Sequence, residues 1–115
     1  MMLQSKIIRA IVSTFNLTKT DAEIIQTLTD NKEGLLVSEI TERIQRSERN
    51  VRARVKILFE KGILHRKVEI LGNKRLAYRY YLQPYEKIIE AMKKHLTGKI
   101  RKLNLLLTKE TNKTP

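Results

Sequence analysis

The sequence predicts one domain of the mainly α-helical α+β class, in which a single β-hairpin lies between helices. Apolar residues recur every three or four positions through most of the 115 residues, the spacing of the buried face of an amphipathic helix. After Gly62 the apolar period changes from four to two, which indicates strands. The basic residues are concentrated in the second part of the chain.

Composition limits the class of protein. A hydrophobic content of 41% favours a folded chain, and the absence of cysteine excludes disulfides and zinc–thiolate sites. No apolar run approaches the roughly 20 residues that span a bilayer. The first fifteen residues carry Lys6 and Arg9 within their apolar pattern, unlike a signal-peptide core. We expect an intracellular, cytoplasmic protein.

The net charge of +12 is unevenly distributed along the chain. Residues 1–45 hold five Lys/Arg and six Asp/Glu, whereas residues 46–115 hold nineteen and six. Such a split marks one part of the molecule for a polyanion. Nucleic acid is the commonest partner of this kind, and an anionic membrane surface is the main competitor.

Two helices are predicted before the basic region. Residues 3–15 have helical spacing, carried by Leu3, Ile7, Ile8, Ile11, Val12 and Phe15. Thr20-x-x-Glu23 is the preferred capping box of the next helix, with Thr18-x-x-Asp21 as the second choice. That helix extends to about Thr29 and faces inward through Ala22, Ile24, Ile25 and Leu28.

A short strand and two helices follow the polar stop at 30–34. The strand is Leu35-Leu36-Val37, and Ser38 is the predicted cap of a helix with the sequence SEITERIQ. After a break at 45–46, Ser47 caps a basic helix that buries Val51, Val55 and Leu58. Gly62 occupies the left-handed position beyond its end.

The hairpin and a long helix complete the chain. Alternating residues flank a tight turn at Gly72-Asn73, and Pro84 precedes the last helix, predicted from Tyr85 to about Leu107. One stripe of that helix holds Ile88, Met92, Leu96, Ile100, Leu103 and Leu107. The last seven residues, KETNKTP, are expected to be frayed.

This order of elements resembles the winged helix-turn-helix. The stretch VSEITERIQRSERNVRARVKILFEKGILHR looks like the segment shared by MarR-type and TrmB-type DNA-binding domains, and the similarity covers residues 18–82. The added terminal helices look like those of small archaeal winged-helix regulators, including the leucine-responsive-regulator-like group, which pair through such helices. The LGNKR tip lacks the Asp-x-Arg pair common in MarR wings, and no segment corresponds to the TrmB effector domain, so a small-molecule effector is left open.

The resemblance implies four segments. Residues 1–17 form an N-terminal helix that contributes to the dimer or the core, and residues 18–83 form the winged helix-turn-helix DNA-binding domain. Residues 84–108 form the C-terminal dimerisation helix, and residues 109–115 form the tail.

The basic helix and the wing contain the candidate DNA contacts. Opposite the buried direction of the helix lie Arg49, Ala53 and Lys56, with Arg52 beside them. Arginine suits guanine, the amide of Asn50 suits adenine, and a small alanine permits close approach to thymine. Arg54 points toward the core and is expected to cover apolar surface or touch phosphate. The predicted set is Ser47, Arg49, Asn50, Arg52, Ala53, Lys56, Lys74, Arg75 and Arg79.

Other interpretations of these residues exist. Residues 46–79 hold eleven Lys/Arg and three Asp/Glu, which favours nucleic-acid contact over a solvated helix surface. The cations of the wing can instead be solvated or protect an edge strand from pairing. The tyrosines can stack on single-stranded bases, but the regular alternation favours packing of at least two among Tyr78, Tyr80, Tyr81 and Tyr85.

The last helix has three possible partners: its own core, a second subunit, or a membrane surface. Its 23 predicted residues span roughly 35 Å, more than so small a domain can cover, and its lack of tryptophan argues against a membrane. We expect a homodimer whose interface is built by Ile7, Ile11, Ile88, Met92, Leu96, Ile100, Leu103 and Leu107. Gly98 marks either a bend or a close helix crossing.

No catalytic signature is found. His65 and His95 are the only histidines and lie thirty residues apart, without metal-ligand spacing. The chain is therefore predicted not to be an enzyme and to need no cofactor. The preferred function is a sequence-specific, homodimeric transcriptional regulator that binds double-stranded DNA. The alternatives are an architectural chromatin-type protein with little sequence preference and a winged helix that binds protein or RNA.

Overall fold

A computed structural model of the protein describes residues 5–113, which form five helices and a three-stranded antiparallel sheet. The central strand of the sheet is β3, and the strand order is β1-β3-β2. The predicted α+β winged helix-turn-helix with a hairpin wing is confirmed. The elements are α1 (Lys6–Phe15), α2 (Lys19–Thr29), β1 (Leu35–Leu36), α3 (Val37–Ile44), α4 (Glu48–Glu60), β2 (Leu64–Ile70), β3 (Leu76–Leu82) and α5 (Tyr85–Lys113).

The cap of α2 differs from the preferred prediction. Thr18 is the N-cap: its Oγ1 accepts a hydrogen bond from the Asp21 amide at 3.1 Å, and Asp21 Oδ2 accepts one from the Thr18 amide at 2.9 Å. The box at Thr20 and Glu23 does not form, because Thr20 is buried inside the helix and Glu23 binds Arg46.

Two other helix starts are shifted. Ser5 caps α1 by accepting a hydrogen bond from the Ile8 amide, and the predicted start at Leu3 lies outside the described residues. Helix α3 begins at Val37 and Leu36 is its cap, so Ser38 does not cap it. The Leu36 amide instead donates to Glu39 Oε1 at 2.8 Å, which shortens the predicted strand to two residues.

The ends of α4 and of the wing depend on positive φ angles. Gly62 has φ +84°, as predicted, and the Ile63 amide donates to the Leu58 carbonyl at 3.0 Å, which closes α4. At the wing tip Gly72 and Asn73 lie at the centre of the turn, but the positive φ of +63° belongs to Lys74. No pattern in the sequence predicts this left-handed lysine.

The core lies between the helices and one face of the sheet, and it includes residues from all five helices. Its fully buried side chains come from both ends of the sequence, so the terminal helices are part of one folded unit. The core residues are Ile8, Ile11, Phe15, Ile24, Ile25, Leu28, Leu35, Val37, Ile40, Val51, Val55, Leu58, Ile63, Leu64, Tyr80 and Ile88.

Helix α5 is longer than predicted. It continues to Lys113, through most of the segment that was expected to be frayed. Its 29 residues span roughly 43 Å at 1.5 Å per residue. Every residue from Lys99 to Thr111 is exposed, so only the first part of α5 packs on the domain.

An ion pair between Asp21 of α2 and Arg54 of α4 joins the two helices. Asp21 is fully buried, and Arg54 holds it through hydrogen bonds of 2.7 Å from Nε and 2.6 Å from Nη2. Burial alone would raise the pKa of Asp21, but the hydrogen bonds from Arg54 and Thr18 outweigh it and leave the pKa lowered. The carboxylate is therefore charged at neutral pH and anchors α4 on α2.

We predict that Asp21→Asn lowers the free energy of unfolding by about 3 kcal/mol at pH 7, because it breaks a buried pair. Because the pKa of Asp21 is lower in the folded protein than in the unfolded chain, its charge stabilises the fold. This contribution is complete above the unfolded pKa of about 4 and is lost as the pH falls through the folded pKa. The difference between the two proteins in urea unfolding should therefore narrow below pH 4.

Asp30→Asn is the matched control, since Asp30 is exposed and contacts only the Gln26 side chain apart from its backbone cap. It should change stability by no more than about 0.5 kcal/mol. A pH-independent difference for Asp21→Asn would contradict the role given to its charge.

Candidate nucleic-acid interface

The outer face of α4 presents the predicted contact residues to solvent. The buried face is fixed by Val51, Val55 and Leu58, each of which is 0% exposed. Since a helix turns about 100° per residue, the opposite face is set by the same packing. All six residues predicted on this helix and its cap are exposed: Ser47, Arg49, Asn50, Arg52, Ala53 and Lys56.

The cations around α4 form two groups, those paired with an acidic side chain and those without an ion pair. Arg46 is held by Glu23 at 2.9 Å, and Arg54 is held by Asp21. Arg52 approaches Glu48 at 2.6 Å, but both side chains are more than half exposed, so the pair is weak and open to competition. Within the described part of the chain, Arg49 and Lys56 have no ion pair.

Ser47 serves as the N-cap of α4. Its Oγ accepts a hydrogen bond from the Asn50 amide at 3.1 Å, which uses one lone pair of the hydroxyl. The hydroxyl proton is still available to a phosphate oxygen. The cap therefore permits the DNA contact predicted for Ser47 and also orients the first turn of α4.

The wing carries two exposed cations at its tip and one half-buried arginine at its base. Lys74 and Arg75 are exposed. Arg79, in contrast, donates to Glu69 at 2.7 and 2.9 Å, to Glu39 at 3.2 Å and to the Gly34 carbonyl at 3.0 Å. These hydrogen bonds hold the pKa of Glu69 below its usual range. Arg79 thus ties the wing to α3 and to the loop before β1.

A second arginine connects the wing to α4. The guanidinium carbon of Arg66 lies 3.9 Å from the ring centres of both Phe59 and Tyr78. Phe59 belongs to α4, and Tyr78 belongs to β3. Because a guanidinium stacks favourably on aromatic faces, Arg66 fixes the angle between the wing and α4.

The four tyrosines have different environments. Tyr80 is buried in the core, and Tyr81 is half-buried, stacked on His65 with ring centres 4.9 Å apart. Tyr81 also covers Gly34, whose φ is +82° and where a Cβ would collide with the tyrosine ring. Two tyrosines therefore pack the hairpin onto the domain, while Tyr78 and Tyr85 are exposed.

The outer half of the hairpin carries an apolar surface that the alternation did not reveal as exposed. Val68 pairs with Tyr78, and Ile70 pairs with Leu76, so all four side chains lie on one face. Their exposed fractions are 60%, 43%, 71% and 70%, respectively. We call these four residues the wing apolar face.

The predicted dimer stripe divides into a buried part and an exposed part. Ile11 and Ile88 are 0% exposed in the chain's own core, which corrects their assignment to an interface. Ile7 and Met92 are half-buried against that core. The remaining four residues of the stripe are exposed: Leu96, Ile100, Leu103 and Leu107. Ile89, on the same side of α5, is also exposed.

The histidines lie at separate packed positions. Burial and the neighbouring Lys67 and Lys87 lower the pKa of His65. His95 packs on Phe15 at 4.8 Å. Among residues 5–113 no group of three or more acidic, histidine or cysteine side chains is arranged to hold a metal, and none of the described helices is long and apolar enough to cross a bilayer.

Solved structures with the same fold include regulators. A possible transcriptional regulator from Methanosarcina mazei Go1 is 22% identical with a TM-score of 0.71, over 91% of this chain and 88% of that chain. A protein from the thermoacidophilic archaeon Sulfolobus tokodaii is 19% identical with a TM-score of 0.59, over 86% and 92%. The S. aureus MepR–DNA complex is 18% identical with a TM-score of 0.58, over 96% and 90%.

At these identities the likeness shows a shared fold. No protein-family model matches the sequence, and no curated protein matches it.

Because Arg79 is held by several hydrogen bonds, we predict that replacing it destabilises the protein, whereas replacing a cation at the wing tip does not. Arg79→Met keeps the apolar stem but removes hydrogen bonds to charged groups, so it should lower the free energy of unfolding by about 2 kcal/mol. Arg75→Met removes an exposed charge and should cost no more than about 0.5 kcal/mol. Urea unfolding of both variants measures the difference, and equal losses would show that Arg79 does not anchor the wing.

Proposed function

We propose that this chain is a homodimeric transcriptional regulator that binds double-stranded DNA on the nucleoid, with α4 in the major groove and the wing on the backbone and minor groove. The observation that supports this most is the exposed face of α4. Arg49, Asn50, Arg52 and Lys56 surround Ala53 on that face, so the helix has long donors around a site of close approach.

The position of these residues on the helix suits base recognition. In helix-turn-helix docking the N-terminal half of the recognition helix meets the base edges, and Arg49, Asn50 and Arg52 lie in that half of α4. Arg and Asn make the paired contacts that distinguish guanine and adenine. The exposed pair between Arg52 and Glu48 can exchange its acidic partner for a base or a phosphate.

Similarity to known structures agrees with this proposal. MepR, whose fold this chain shares, was solved in a complex with DNA, and the Methanosarcina mazei protein is described as a possible transcriptional regulator. Lys74 and Arg75, both exposed at the wing tip, are the cations proposed to contact the backbone or the minor groove. Arg79 contributes by holding the wing in position.

The exposed half of α5 is the proposed dimer interface. Leu96, Ile100, Leu103 and Leu107 are spaced by four, three and four residues, the a/d pattern of a coiled-coil seam. This seam is turned by roughly a quarter of a revolution from the core-facing Ile88. It is therefore free to pair with a second copy while the start of α5 stays on its own domain, giving two half-sites.

The dimer is tested by Leu96→Glu combined with Leu103→Glu. Charges in an apolar seam should produce monomers in sedimentation velocity, and DNA affinity should fall about 100-fold because the two half-sites then bind independently. Leu105→Glu is the control: it is also exposed, but it lies on the opposite side of α5. An unchanged dimer in the double variant would exclude this interface.

Base recognition is tested by changing Arg49, Asn50 and Arg52 singly to alanine. On a duplex selected from a random pool, each change should cost about 1–3 kcal/mol of binding free energy. A scrambled duplex should lose much less. Fluorescence anisotropy at one salt concentration measures both affinities.

The matched control for this experiment is Lys32→Ala. Lys32 is exposed and lies beside Leu82 and Gln83, at the end of β3 opposite the wing tip. It should leave both affinities unchanged. Equal losses on both duplexes for all three test variants would favour the architectural alternative, in which α4 contacts only the backbone.

A further inference from the structure

The wing apolar face continues the surface by which the hairpin packs on the helices. Leu64, Leu82, Tyr80 and the stem of Arg66 lie on the same face of the hairpin, and the first three contribute to the core or pack against it. Toward the tip nothing covers this face in the described structure, although its side chains are still apolar. An exposed contiguous apolar patch of this kind marks an interaction site.

This face opens into the same cleft as the N-terminal half of α4. The cleft has a volume of about 470 Å³, and its walls include Glu48 and Arg52 from α4 and Leu76 and Tyr78 from the wing. A molecule that lies along the outer face of α4 and reaches the wing must therefore pass over this patch. The cleft is the path between the two proposed DNA contacts.

The charges around the patch define what fits it. Arg52 stands across the cleft, and Lys74 and Arg75 cap the tip; all three are exposed. The acidic residue on the hairpin, Glu69, is neutralised by Arg79. The complementary partner has an apolar centre and an anionic rim, as the minor groove has in its deoxyribose walls and flanking phosphates.

We propose that the wing apolar face packs against the deoxyribose rings of the DNA minor groove and supplies an apolar share of the affinity. This inference rests on the proposed DNA binding and adds the class of contact that the wing makes. Lys74 and Arg75 pair with phosphates at the rim, while Ile70 and Leu76 bury apolar surface between them. The apolar area thus removed from water is the source of this share of the affinity.

Salt dependence separates the apolar contact from the ionic ones. Loss of a phosphate contact reduces the slope of log affinity against log salt by about 0.9, whereas loss of an apolar contact leaves the slope unchanged. Ile70→Thr with Leu76→Thr removes apolar surface and places a β-branched residue, which suits a strand, at both positions. Both positions are exposed, so the hairpin should persist.

The experiment measures duplex affinity from low to high salt. The double threonine variant should bind about tenfold more weakly at every salt concentration, with the wild-type slope. Lys74→Ala with Arg75→Ala should bind more weakly and with a smaller slope. Leu105→Gln, another exposed leucine remote from the wing, should match the wild type, and hydroxyl-radical footprinting should show minor-groove protection that the threonine variant loses.

Each contrary result has one meaning. Wild-type affinity in the threonine variant would overturn this inference while leaving the proposed function intact, and a reduced slope would assign the loss to displaced cations. Wild-type protein that does not bind duplex at all would overturn the proposed function itself. Loss of self-association with unchanged DNA affinity would assign the patch to a second copy of the chain.

Discussion

The orientation of the recognition helix depends on a carboxylate buried beneath it. Asp21 has no access to solvent, and a charge in that position is tolerated only with a partner of opposite charge and satisfied hydrogen bonds. Arg54 provides both, in a two-point contact that fixes distance and angle. Because Val51 and Val55 pack on the same side, α4 cannot rotate without breaking either the pair or the core. The orientation of α4 that buries Val51 and Val55 and pairs Arg54 with Asp21 also turns Arg49 and Arg52 outward.

The structure separates cations that build the fold from cations that face solvent. Eleven Lys/Arg lie between residues 46 and 79, but Arg46, Arg54 and Arg79 bind acidic groups, and Arg66 lies between two rings. These four orient α4 and the wing, and the exposed ones supply the surface charge. A count of basic residues therefore overstates the direct contacts available to DNA, while the internal pairs make those contacts possible by fixing where they lie.

The fold was largely predictable because its signals are local. Helical periodicity, the Ser47 cap and the left-handed Gly62 each depend on residues close in sequence. The errors arose where distant residues decide: TKTDAE contains two overlapping capping boxes, and the choice of Thr18 depends on the contact of Asp21 with Arg54. Likewise, no local pattern shows that Glu39 and the Gly34 carbonyl bind Arg79.

Part of the predicted dimer stripe lies in the chain's own core for a related reason. Periodicity gives the direction of a side chain around a helix but not what lies there. Ile88 therefore belongs to the core, although the same stripe is exposed from Leu96 onward, where α5 leaves the domain. On the wing, the alternation of apolar residues correctly predicted one apolar face. The helices cover only the inner part of that face, so Val68 and Ile70 are exposed. Whether an apolar face is buried depends on how far the neighbouring element extends, and the spacing of residues in the sequence does not give that distance.

Under the proposed function, salt has opposite effects on the pairing of the two α5 seams and on the phosphate contacts to DNA. Residues 91–109 of α5 hold six Lys/Arg and no Asp/Glu, so two paired seams bring like charges together, and added salt screens their repulsion. Salt also weakens phosphate contacts by returning counterions to DNA. As the salt concentration rises, dimerisation therefore becomes stronger while the binding of each subunit to its half-site becomes weaker. The apolar contact at the wing is the part of the DNA interface that salt does not remove, so it sustains binding where the dimer is most complete.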